Sequence, residues 1–289
     1  NTPDIDNYTL WLMPPEKQSA ITKKPSPRKS GATVICETEE QPQPSPRQGR
    51  HTPGTRAHAK PGSRPLWVKA RGQNAAMAFR VDITDRVCRL TLDAPPLNIL
   101  TSSLQTALAQ ALRELHGRDD FNLLVLRSGV PGKFSAGADV GEHLGREAAQ
   151  AMLKAAHGLI AAVLRCPVPT LCAVDGPCLG GAFELALAFD QVVVTPESPV
   201  GLPEITLGCY PPAAMVLAPM KLPAALAAEL IQGGQTLPAK DFAARGGGWR
   251  VTVDLESEVN RLGKHYANLP CGPLVEATRL LRCGAAERF

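Results

Sequence analysis

The stretch Pro167–Asp190, PVPTLCAVDGPCLGGAFELALAFD, decides the fold. Thr170 to Val174 is a continuous apolar run of strand length, as a sheet covered on both faces requires. Asp175-Gly176-Pro177 is turn chemistry, and Gly180-Gly181 opens a small, apolar helical segment. A buried strand, a glycine loop and a helix in succession is the repeating unit of an α/β protein. One carboxylate interrupts the apolar segment. The helical neighbours of Glu184 at i±3 and i±4 are Gly180, Gly181, Leu187 and Ala188, none of them a cation. Nothing local pairs with this glutamate.

Working outward, the same alternation continues. FRVDITDRVCRLTLDAPP, from Phe79, reads as two strands across a short turn, and NLLVLRSG, from Asn122, as a buried strand. SSLQTALAQALRELHG puts Leu104, Ala107, Leu108, Ala111, Leu112 and Leu115 on one helical face, with Ser102 or Ser103 as the cap. EAAQAMLKAAHGLIAAVLRC, from Glu147, is a long helix, and QVVVTPES is a further strand. PAAMVLAPMKL, AALAAELIQGG and SEVNRLGKHYANL read as helices. The class is α/β with a largely covered sheet.

Residues 1–76 differ in kind. They carry eleven prolines and no apolar period, which predicts a disordered, Pro-rich basic extension. Twelve Lys/Arg against six Asp/Glu give this segment +6, so with +4 overall the remainder carries −2. The globular part, residues 77–289, has no basic footprint for nucleic acid. Asn1 is not a start residue and Met77 opens the ordered pattern, so the extension reads as a tail without a role, or as sequence from upstream of the true start. Neither a signal peptide nor an uninterrupted apolar run of membrane length is visible, so a cytoplasmic protein is expected. The eight cysteines form no CxxC and mostly sit among apolar residues, as buried free thiols do.

Three glycine-containing loops follow buried strands: KFSAGADVGEH (Lys133–His143), DGPCLGGAFE (Asp175–Glu184) and VGLPEITLGCYPP (Val200–Pro212). Ligands in α/β proteins collect at such strand ends. A helix start at Gly180-Gly181 offers free N–H groups to a phosphate or to a developing oxyanion. It is neither a Walker A loop nor a G-x-G-x-x-G fingerprint. Glu204, between Pro203 and Ile205, is a second carboxylate in apolar company. Two such groups could hold a water between an acid and a base. Each could instead pair with a distant Arg or Lys, or lie at the surface. His116 and His157 have no spaced partner for a metal and read as structural. Ser135 lacks a nucleophile-elbow context, Asp139 reads as a cap, and Lys133 as a solvated loop residue.

At these loops the chain resembles the enoyl-CoA hydratase/isomerase (crotonase) family, over roughly Phe79 to Arg282. FSAGADV, PVPTLCAVDGPCLGGAFELALAFD and GLPEITLG occur in the family's order, and the twenty residues from Glu184 to Glu204 match the interval between its two catalytic glutamates. The resemblance implies a crotonase-type repeated ββα spiral core with covering helices. It implies an oxyanion hole from the backbone N–H groups of Ala138 and Gly181, and acid/base roles for Glu184 and Glu204. Leu97, Ala136, Gly137, Asp139, Val140, Gly180, Pro203 and Gly208 would line the coenzyme A and acyl path. The expected substrate is an α,β-unsaturated acyl-CoA thioester, hydrated without metal or redox cofactor, coenzyme A being part of the substrate. A homotrimer or hexamer is expected, with no nucleic-acid or membrane partner. The rival readings are a double-bond isomerase or thioester hydrolase of the same fold, and a non-catalytic acyl-CoA-binding protein.

APPLNIL, MLKAAHGL and LGCYPPAA lean toward the cyclohexa-1,5-dienecarbonyl-CoA hydratases within the family. Tyr210-Pro211-Pro212-Ala213 stands where the family has Pro-Gly-x-Gly, a change that would reshape the acyl pocket. Three departures carry expectations of their own. Ala182 and Phe183 replace a small Gly-Cys pair. GGGWRV replaces an apolar strand entry, where Gly247-Gly248 should pack poorly. The chain ends soon after ATRLLRCGAAERF, which reads as a shortened C-terminal helical region.

Overall fold

The computed structural model describes residues 78–288. The Pro-rich extension expected over 1–76 lies outside the described residues.

Strands β1 (Phe79–Thr84) and β2 (Val87–Leu92) form a hairpin turned by Asp85 and Arg86, both at positive φ. Helix α1 (Ser102–Leu115) follows, then β3 (Leu123–Ser128), α2 (Arg146–Leu164) and β4 (Thr170–Val174). The short strand β5 (Cys178–Leu179) leads into α3 (Gly181–Leu187). Next come β6 (Gln191–Val194), β7 (Pro199–Gly201), α4 (Pro212–Lys221) and α5 (Ala224–Gly233). The chain continues through β8 (Thr236–Pro238), α6 (Ala239–Ala244), β9 (Arg250–Val251), α7 (Leu255–Ala267) and α8 (Cys271–Arg288).

The main sheet runs β1-β2-β3-β4-β6-β9 and is parallel from β2 onward; a small sheet runs β5-β7-β8. Two successive units, β4-β5-α3 and β6-β7-α4, each send one strand to each sheet. This is the ββα repeat. One face of the main sheet packs under α1, α2 and α3, and the other under α7 through Val259 and Leu262.

Two local expectations need correction. The cap of α1 is Thr101, whose extended backbone and hydroxyl receive the Leu104 N–H; it is neither Ser102 nor Ser103. Gly247 does not pack poorly. A Cβ there would lie 2.2–2.5 Å from three ring atoms of Phe242, so the glycine admits that ring. Phe242 stacks edge-on with Phe183 (5.6 Å) and Trp249 (4.9 Å), and Phe183 meets Trp249 at 5.0 Å. The bulk at Phe183 and the glycine at 247 are thus one change: an aromatic cluster behind α3. Asp139 does cap, accepting from Gly141 N at 2.7 Å, and His116 Nε2 lies 3.0 Å from the Ala162 carbonyl, a structural contact.

Candidate active site

The loop after β3 and the loop after β5 are zipped together. Ser135 N donates to Pro177 O at 2.9 Å, and Ser135 pairs with Cys178 as an isolated bridge. On its other side the first loop follows the segment before α1: Ala136 N donates to Leu97 O (3.1 Å) and Leu100 N to Gly137 O (2.9 Å). Gly137 has φ +98, and a Cβ on it would fall 2.6 Å from Leu179 O. Only glycine allows the two loops to come this close. The result is that Ala138 and Gly181 lie side by side; a Cβ built on Gly181 would be 3.4 Å from Ala138 N. Neither N–H donates to an acceptor among the described residues. Gly181 is the first residue of α3, where a free N–H is expected.

Glu184 is one turn further along α3 and buried at 7% exposure. Its Oε1 accepts from Ala214 N at 2.9 Å, at the start of α4. Burial pushes its carboxyl up to about 7, against the pull of the Ala214 and Ala213 N–H groups. The missing partner is therefore a backbone, and among the described residues no cation acts on this carboxyl.

Glu204 sits on a 3-10 turn, Pro203–Leu207, that carries it to the same place. Gly208 ends the turn in the left-handed region at φ +79. Glu204 Oε1 would lie 2.9 Å from a Cβ on Gly180, which has φ +54; glycine there leaves room for the carboxylate. Glu204 Oε2 is buried and accepts no hydrogen bond among the described residues. Burial, then the charge of Glu184, pushes this carboxyl up to about 8. Cys209 rests against the same turn, its thiol 3.4 Å from Glu204 O, and its pKa is raised by burial and by both glutamates.

Ala138, Gly181, Glu184 and Glu204 all line one cleft enclosing about 630 Å³, its open mouth included. The other residues expected on the ligand path do not line it. Gly137 and Gly180 lie behind the walls, Leu97, Ala136 and Asp139 belong to the loop framework, and Val140 is exposed. Pro203 and Gly208 bound the Glu204 turn. Sequence reasoning missed one wall: Met152, Leu153, Ala156 and His157 of α2. Those positions are one helical stripe, which in sequence looks like ordinary core. His157, expected to be structural, faces the cleft, and burial lowers its pKa. Leu100, Gln105 and His143 close the α1 side, and Tyr210-Pro211-Pro212 close the α4 side.

Among the described residues, no three His, Cys, Asp or Glu side chains come together to hold a metal ion. No described helix is long and apolar enough to cross a membrane.

The enoyl-CoA hydratase/isomerase family model matches residues 82–270. A curated relative, the cyclohexa-1,5-dienecarbonyl-CoA hydratase of Thauera aromatica, is 35% identical over 202 residues, 70% of this chain and 78% of the relative. Among solved structures, an enoyl-CoA hydratase/isomerase from Pseudoalteromonas atlantica superposes with a TM-score of 0.65 at 26% identity, covering 73% of this chain and 84% of that one. Pseudomonas aeruginosa DspI gives 0.69 at 23% identity, covering 76% and 92%, a likeness of fold. By the span of the family match and the identity to the curated relative, the chain belongs to the enoyl-CoA hydratase/isomerase family.

Proposed function

We propose that this hydratase-type enzyme adds water across the conjugated double bond of an α,β-unsaturated acyl-CoA, with a cyclic acyl group such as cyclohexa-1,5-diene-1-carbonyl as the preferred substrate. The observation that carries the reading is the carboxyl pair. Glu184 and Glu204 face one cleft, both are raised toward neutrality, and each lacks a cation. A protein that only binds a thioester gains nothing from burying two such groups, which costs several kcal/mol of solvation if they ionise.

In this mechanism the thioester oxygen accepts from Ala138 N–H and Gly181 N–H. Water loses a proton to ionised Glu184 while its oxygen bonds to the β-carbon. The double-bond pair moves onto the thioester oxygen, giving an enolate held by the two N–H groups. Protonated Glu204 then delivers its proton to the α-carbon and the carbonyl re-forms. The proton gained by Glu184 and the one lost by Glu204 are restored by exchange with solvent. Glu184 is the base because backbone N–H groups favour its ionised form, and Glu204 the acid because its Oε2 finds no donor among the described residues and the charge of Glu184 opposes its ionisation. Fixed donors in a dry site are worth about 3 kcal/mol each to such an oxyanion.

The wall at Tyr210–Pro212 supports a compact acyl group. Pro211 and Pro212 are rigid, and Tyr210 stands beside them. Leu97, Ala136, Gly137, Asp139, Val140, Gly180, Pro203 and Gly208 remain our candidates for the framework of the coenzyme A path. The domain is taken as 77–289, acting in the cytoplasm as a homotrimer or hexamer with no cofactor beyond the coenzyme A of its substrate.

Loss of the enoyl-thioester absorbance, followed with crotonyl-CoA, a long-chain 2-enoyl-CoA and cyclohexa-1,5-diene-1-carbonyl-CoA, tests the reading. Hydration of the cyclic diene with the highest kcat/KM is expected. No turnover of any of the three would refute it. The profile of kcat/KM against pH should be a bell, rising as the first carboxyl ionises near pH 7 and falling as the second does near pH 8.

A further inference from the structure

The segment Asp139–Gly145 follows the Ala138 donor directly, and little apolar packing holds it. Val140 is 65% and Leu144 77% exposed. The Gly145 carbonyl at its end accepts from Ala149 N of α2 at 3.0 Å, and a side-chain contact ties its middle to α1. The Glu142 carboxylate reaches the first turn of α1, where its Oε2 accepts from Ser102 N at 2.8 Å and, at short range, from the Ser102 hydroxyl. The Ser102 N–H is one of the free donors of a helix start, and a negative charge there is favoured by the helix dipole. Thr101 already serves Leu104, so α1 has its cap without Glu142. The contact is thus surplus to the helix and falls on the segment that carries the donor.

The tie closes a loop of contacts. Leu100 N holds Gly137 O at 2.9 Å just before Ala138, and Glu142 holds Ser102 four residues after it. Ala138 lies between two clamps onto one short stretch, Leu100–Ser102. His143, next to Glu142, lines the cleft, and its Nδ1 lies 2.9 Å from Asp139 O.

We propose that Glu142 is a positioning residue that clamps the Asp139–Gly145 segment to the start of α1 and so fixes the direction of the Ala138 N–H toward the thioester oxygen. This rests on the oxyanion reading above. A donor must aim at where the charge develops, and a misplacement of about 1 Å can cost on the order of a hundredfold in rate.

The test uses Glu142→Ala, Glu142→Gln and Ser102→Ala in the full chain. The readouts are kcat, KM and the absorption maximum of bound cinnamoyl-CoA. That maximum moves to longer wavelength when N–H donors draw electron density onto the carbonyl oxygen. Glu142→Ala should lower kcat by about 10- to 100-fold with KM changed less than about threefold. It should also shrink the wavelength shift. Glu142→Gln, which keeps an oxygen for Ser102 N–H, should recover part of both. Ser102→Ala should show a smaller loss of the same kind and add little in combination with Glu142→Ala. A Glu142→Ala protein that melts earlier but keeps the wild-type kcat and wavelength shift would overturn the proposal and leave Glu142 a structural contact. If the wild type itself neither hydrates an enoyl-CoA nor shifts the bound thioester, the oxyanion reading falls and this proposal with it.

Discussion

Two carboxylates lie six residues apart, Glu184 within α3 and Asp190 three residues past its end, and the protein treats them in opposite ways. Asp190 is answered in full. Arg282, from α8, donates through Nε at 2.7 Å and through Nη2 to its two oxygens, and Thr170 N adds a bond at 2.8 Å. The guanidinium also donates to the carbonyls of Cys166 (2.5 Å) and Val168 (3.0 Å). Glu184 has backbone N–H groups and no cation, and Glu204 across the cleft leaves one oxygen unbonded. The first arrangement anchors α8 to the end of α3 through a bidentate ion pair. The second keeps a proton exchangeable near neutral pH. On the proposed mechanism the difference has a reason: the carboxylate that holds structure is paired by its surroundings, and the pair that would move protons is desolvated and left without a cation.

The largest effect that would break this comparison comes from the glutamates. Glu184→Gln and Glu204→Gln should each lower kcat by about 10²–10⁴-fold, with the fold intact. Their stability should move the other way. Both carboxyls are raised from 4.5, to about 7 and about 8, so the native state keeps protons that the unfolded chain has already released. The stability they confer is present below pH 4.5 and is lost as pH rises through about 7 for Glu184 and about 8 for Glu204. A glutamine has no such loss. Each variant should therefore outlast the wild type above pH 8, by up to about 3 kcal/mol, or a Tm rise on the order of 5–10 °C. Near pH 4.5 the difference should vanish. Thermal melts at the two pH values check this, and variants that melt lower at pH 9 would contradict it.

Arg282 should behave in reverse. Arg282→Ala leaves Asp190 buried without its cation and should cost about 3–5 kcal/mol, while the folded fraction keeps its kcat. Pairing Arg282→Met with Asp190→Asn should recover much of that loss, because the unpaired charge is gone. Urea unfolding of the single and double variants measures it. A single variant of unchanged stability would show that the pair is ornamental.

The contrast also marks what the sequence could convey. Strands β1 to β4 and β6, and helices α1 to α5 and α7, were legible because apolar residues fall at regular spacing or in continuous runs, and the carboxyl pair because both glutamates stand in apolar runs at a recognisable interval. α8 was not legible. It turns Thr278, Arg282 and Ala285 inward, so its buried face is partly polar and gives no hydrophobic period. The strands of the small sheet are two or three residues long, too short for any period to show. The cap of α1 was misassigned because Thr101, Ser102 and Ser103 can all cap, and only backbone conformation chooses among them. The apolar company of Glu204 misled in a different way. Ile205 and Leu207 face outward, 45% and 65% exposed, and the 3-10 turn alone brings the carboxylate in.

The smallest effect concerns what stands behind both carboxylates. Phe183 precedes Glu184 in α3 and packs on Phe242 and Trp249, so the cluster is the back wall of the helix that carries one carboxylate and leads to the other. Gly247→Ala would push a methyl to 2.2 Å from the Phe242 ring and should cost about 1–3 kcal/mol by overpacking. In a Phe242→Leu background the ring is absent, and the same substitution should cost less than half as much. If the cluster only fills space, kcat will stay within about twofold in all three variants while stability varies. A fall in kcat that tracks the strain and is relieved in the double variant would mean that the wall also sets the seat of Glu184. The contrast between a fixed and an exchangeable carboxylate would then extend to the packing that supports each.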